Sequence, residues 1–104
     1  MLKEACVENF TNVPGVIERG AKRIELCDNL AVGGTTPSIG VIKIAAEYCS
    51  DKDVSIIVIL RPRGGDFVYS LMEKAIMMRD LEEIIVLQAN GIAVGALTAA
   101  NALD

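Results

Sequence analysis

The segment Val54-Ser55-Ile56-Ile57-Val58-Ile59-Leu60 constrains the fold more than any other part of the chain. It is aliphatic almost throughout and mostly β-branched, which favours extended backbone over helix. Because consecutive residues are apolar, both faces of the resulting strand are expected to be buried. That is the setting of a parallel sheet with helices packed against it. The flanking sequence agrees. Leu2 to Glu8 and Lys22 to Cys27 read as strands before this run, and Gly91 to Thr98 as a strand after it.

Between the strands, apolar residues recur at helical spacing. Asn12 to Gly20 carries Val13, Val16 and Ile17, with Thr11 or Asn12 able to cap, Pro14 in the first turn and Gly20 at the stop. A second helix is expected from Pro37 to Cys49, with Ile39, Ile42, Ala45, Ala46 and Cys49 as its apolar stripe. A third is expected from Ser70 to Asn90, with Leu71, Ala75, Met78, Leu81, Ile84, Ile85 and Gln88 spaced by threes and fours. Strand and helix in strict alternation predict right-handed parallel (β/α) units in one α/β domain spanning residues 1–104. A closed (β/α)₈ barrel takes roughly 250 residues, so these four strands supply half of a TIM-type barrel. Their outer edges are open to pairing with another chain. A truncated longer protein, an association of halves and a small open sheet all fit that pattern.

Composition narrows the function. A chain that is 52% hydrophobic is not a disordered tail. Charges interrupt its apolar windows well short of the roughly 20 residues a spanning helix needs, so no membrane role is expected. Ten basic against 14 acidic residues leave a net charge of −4, a poor match for nucleic acid. Three cysteines without close spacing suggest reduced thiols, and the N-terminus lacks the pattern of a secretory leader, so a cytoplasmic location is expected. Histidine is absent, which rules out Ser/His/Asp and Cys/His catalysis within this chain alone.

The informative residues are polar ones on strands. Glu4, Cys6 and Glu8 share one face of the first strand, and Arg23, Glu25 and Cys27 one face of the second. Counting back from Arg61 puts Ile57 and Ile59 on the same side of the third. Glu8, Cys27 and Arg61 fall at strand C-termini, where a barrel opens its active-site mouth, and Glu25 lies one layer below. Glu8, Glu25 and Arg61 are therefore candidate catalytic residues: Arg61 as an anion clamp, a carboxylate beside it as general acid or base. The alternative for the same three residues is a purely structural ionic layer.

Cys6 and Cys27 are candidate metal ligands, because two soft thiolates on adjacent strands suit Cu(I); the alternative is that each is a small buried hydrophobe. Cys49 reads as packing or surface, as do Met72, Met77 and Met78. The loop Gly33-Gly34-Thr35-Thr36-Pro37-Ser38 and the pair Gly64-Gly65 suit either an anion cradle or tight turns, and neither fits a nucleotide-binding pattern.

Arg23-Ile24-Glu25-Leu26-Cys27-Asp28-Asn29-Leu30, Gly33 to Ser38, Arg61-Pro62-Arg63-Gly64-Gly65-Asp66-Phe67 and Gly95-Ala96-Leu97-Thr98, in that order, resemble the copper homeostasis protein CutC family. The resemblance implies a TIM-type barrel about twice this length, with this chain as its N-terminal half. It also implies a cytoplasmic, often oligomeric protein associated with copper tolerance, with Cu(I) as its proposed ligand. Cys6 and Cys27 correspond to the family's thiols, and Glu8, Glu25, Arg61 and Arg63 to its polar mouth residues. Where the family shows an Asp and a Gly after the fourth strand, this chain has Ala100 and Asn101, although Asp104 remains. Two functions follow as expectations: a copper homeostasis protein binding Cu(I), or a barrel enzyme or enzyme remnant acting on a small anion.

Overall fold

The computed structural model describes residues 3–95. Four parallel strands, β1 (Glu4–Glu8), β2 (Arg23–Cys27), β3 (Ser55–Ile59) and β4 (Gly91–Ala93), lie side by side in chain order. Three helices connect them: α1 (Val13–Glu18), α2 (Ile39–Cys49) and α3 (Leu71–Val86). The α/β class and the four parallel strands are those expected. A short 3₁₀ turn, Leu30–Val32, interrupts the connection from β2 to α2, where the sequence suggested only loop.

Strand alternation sorts side chains to two faces. Val7, Ile24, Leu26, Ile56 and Val58 are buried together with Val13 of α1, Ile42 and Ala45 of α2, and Met77 and Ile84 of α3. This layer between sheet and helices is the core. On the other face Glu4, Cys6 and Glu8 are exposed, while Glu25, Ile57 and Ile59 are half-buried. The expectation that β3 is buried on both faces is therefore corrected: its residues alternate between half-buried and buried. Helices cover one side of the sheet, and among the described residues no second layer covers the other.

Helix ends follow local chemistry. Gly20, at φ +97°, ends the turn after α1 in the left-handed region that glycine tolerates. Ser38 accepts the Val41 N–H at 3.2 Å and starts α2 there, two residues later than expected. The apolar stripe assigned to α3 is also corrected. Of that stripe Ile84 is buried and Leu81 packs against the core, and Met77, outside it, is buried as well, whereas Leu71 is 86% exposed and Ala75, Met78, Ile85 and Gln88 also face solvent. Met77 and Ile84 lie two helical turns apart, as do the exposed Met78 and Ile85, so the period identified the helix but not in full which residues face inward. The expected strand positions Leu2 and Ala96 to Thr98 lie outside the described residues, as do Ala100, Asn101 and Asp104.

Candidate functional site

Register brings the two strand cysteines together. Cys6 lies opposite Glu25, and Glu8 opposite Cys27, so the two thiols are diagonal neighbours on one face. The Cys27 thiol donates to the Val7 carbonyl at 3.5 Å. Cys27 is fully buried and Cys6 is exposed. Gly34 closes over the buried thiol: a Cβ there would come within 3.4 Å of the Cys27 Cβ, and its φ of +97° suits glycine. Burial is the main reason the Cys27 thiol is pushed up to about 12, with Cys6, Glu8 and Asp28 adding to the effect. The pair therefore combines an accessible sulfur with a buried one that holds its proton. Cys49, far along the chain at the end of α2, is buried packing.

The charged candidates have separate tasks. The Glu8 carboxylate accepts the Leu30 N–H at 2.9 Å, tying the 3₁₀ turn to the end of β1. Glu25 is half-buried, and among the described residues it has no hydrogen bond or ion pair. Arg61 is only 8% exposed. Its Nη1 donates to the carbonyls of Val32 at 2.7 Å and Gly34 at 3.1 Å, and its Nη2 to that of Gly65 at 2.7 Å. Phe67 covers the guanidinium, its ring centre 4.7 Å away. Arg61 thus joins the loop after β2 to the loop after β3. Among the described residues no ion pair connects it to Glu8 or Glu25, so the ionic layer considered from sequence is not formed there.

Arg63 organises the start of α3. It pairs with Glu73, donates to the carbonyls of Asp66 at 2.8 Å and Val68 at 2.7 Å, and lies 4.9 Å from the Tyr69 ring centre. Glu73 also accepts the Ser70 N–H at 2.8 Å, while the Ser70 hydroxyl accepts the Glu73 N–H at 3.1 Å. This capping box was readable as Ser70-x-x-Glu73, a signal that the sequence reading passed over. The Arg63 guanidinium is the main reason the Glu73 carboxyl is held down at about 2, from an ordinary 4.5. A depressed carboxyl contributes stability above its ordinary value and loses it as pH falls through the depressed one. The melting temperature of Glu73→Gln is therefore expected below that of the parent at pH 6, with the gap closing between pH 4.5 and 2. A gap that stays constant with pH would show that the carboxylate's charge is not what matters.

Among the described residues, no group of three or more Cys, Asp or Glu side chains is arranged to hold a metal ion. Nor is any helix among them long and apolar enough to cross a membrane. What distinguishes this sheet is its pair of neighbouring thiols and the arginine-pinned loops above them. The fold and the sequence are both similar to those of known proteins. A CutC protein from Streptococcus agalactiae, solved by crystallography, superposes over 100% of this chain with a TM-score of 0.95 and 46% identity, the match covering 50% of that structure. A family protein CutC from Enterococcus faecalis is 54% identical over 104 residues, again 50% of its length. The human copper homeostasis protein CutC homolog is 39% identical over 103 residues, 37% of its length. The chain thus spans half or less of the length of these relatives. With the sequence model of the CutC family matching every position from 1 to 104, the chain belongs to that family.

Proposed function

We propose that the chain serves copper homeostasis by holding Cu(I), as cargo, between Cys6 and Cys27, and that it forms the N-terminal half of a barrel-shaped cytoplasmic protein. The observation that carries this reading is the strand register that makes an exposed and a buried thiol diagonal neighbours on adjacent strands. The donor set suits this ion. Cu(I) is soft and takes thiolate ligands, whereas a structural zinc site draws four ligands from Cys and His. Two thiols stand together here, and the chain contains no histidine. On this reading the exposed Cys6 meets an incoming ion and the buried Cys27 retains it away from solvent. A reducing compartment keeps both sulfurs available. The open edges of β1 and β4 support assembly with further strands, from a second copy or from a longer chain.

Titration of the reduced chain with Cu(I) against a competing chelator tests the reading. The parent is expected to retain the ion, the double variant Cys6→Ser, Cys27→Ser to surrender it, and Cys49→Ser to behave as the parent. Equal retention by the double variant would overturn the assignment.

A further inference from the structure

We propose that Arg61 and the cavity beside it form a seat for a small monocarboxylate with a short apolar body, a site separate from the two thiols and independent of the copper reading. The first observation is a charge without a counter-charge. Arg61 is 8% exposed, yet among the described residues no carboxylate pairs with it. Three backbone carbonyls and the Phe67 ring stabilise the guanidinium but carry no negative charge to neutralise it. Buried charges are ordinarily paired.

The second observation is unspent donor capacity. A guanidinium has five N–H donors. The bonds to Val32, Gly34 and Gly65 use those of Nη1 and one of Nη2, and the buried Nε has no partner. Nε and Nη2 are the two nitrogens with which arginine grips a carboxylate side-on.

The third observation is space of suitable character. A cavity of about 290 Å³ opens against Arg61, walled by Ile59, Phe67, Ala93, Val94 and Gly33. Arg61 is the one charged residue among the described residues that line it. It lies beyond the C-terminal ends of β3 and β4, the end at which parallel α/β sheets bind ligands. A single positive charge within apolar walls matches a monoanion carrying hydrocarbon, while a phosphate dianion would keep a charge unmatched. Gly33 allows the close approach, since a Cβ there would meet Arg61 Nη1 at 3.0 Å. Because Nε is buried, the carboxylate reaches it in this proposal only if Phe67, 40% exposed and stacked on the guanidinium, turns outward.

The test follows thermal unfolding of the 104-residue chain in isobutyrate, acetate, inorganic phosphate and chloride at matched ionic strength and pH. Isobutyrate is expected to raise the melting temperature saturably by several degrees over chloride, acetate by less, and phosphate not at all. Ala93→Leu fills the cavity from β4 without touching Arg61, and it is expected to abolish the isobutyrate shift, as is Arg61→Gln. Nuclear Overhauser contacts from the isobutyrate methyls to Ala93 and the Phe67 ring in the unaltered chain provide a readout that needs no variant. The proposal is overturned if isobutyrate acts no differently from chloride, if its shift survives Ala93→Leu, if those contacts are absent, or if phosphate performs equally well.

Discussion

Leu26→Ala is expected to lower the unfolding free energy by about 2–5 kcal/mol, and Ile57→Ala by no more than about 1.5 kcal/mol, although each truncates an aliphatic side chain on a central strand. The difference comes from the two faces of the sheet. Leu26 is fully buried beneath the helices, paired in register with Val7 on one side and Val58 on the other. Its removal leaves a cavity in a layer whose other members are held by three helices. Ile57 stands on the opposite face beside Glu25 and Gly91, half-buried and without a covering layer among the described residues. Its truncation therefore costs part of a transfer free energy and little cavity energy. A domain of this size is stable by about 5–15 kcal/mol, so the Leu26 variant loses a large share of the total. Denaturant unfolding measures both, with an unchanged slope confirming that the midpoint reports stability. Equal losses at the two positions would mean that the second face is covered in solution. Protein-concentration dependence of the Ile57 effect would then identify the cover as a second copy.

How much of this was legible in the sequence depends on which physical effect set each feature. The β-branched run from Val54 to Leu60 identified β3 because extended propensity and burial of alternate residues act on the same stretch. The two cysteines fell on one face because strand alternation is a period of two, and a register that aligns strand ends then made them neighbours. Period alone left the phase of α3 open. Leu81 and Ile84 of the expected stripe do face the core, but the exposed Met78 and Ile85 repeat at the same spacing as the buried Met77 and Ile84, and only packing against the sheet chooses between them. Site chemistry was legible by residue type and place but not by partner. Arg61 was recognisable as a strand-end cation; that it would turn to the carbonyls of Val32, Gly34 and Gly65 depends on where two loops meet. Glu8 likewise found a backbone N–H on a 3₁₀ turn that has no clear sequence signature.

If Cys27 is a copper ligand, the affinity for Cu(I) rises at least tenfold per pH unit between pH 6 and 9. The sign follows from the proton balance. The ligand is the thiolate, and burial pushes the Cys27 thiol up from an ordinary 9 to about 12. Throughout that window the metal-free folded chain keeps the Cys27 proton, so binding must release it, and each released proton adds a factor of ten per pH unit. Without burial, the gain would flatten near pH 9; in the folded chain it continues toward 12. The same displacement acts on the metal-free protein in the opposite sense. A raised thiol contributes its full stability below pH 9 and loses it as pH rises toward 12, so copper binding strengthens over the range in which the apo fold begins to weaken. Chelator competition at pH 6, 7.5 and 9, corrected for protonation of the chelator, measures the slope, and Cys27→Ser should reduce it by one proton per ion. An affinity independent of pH in the parent would exclude Cys27 from the coordination sphere, because no thiolate can form at that position without losing the proton that burial retains.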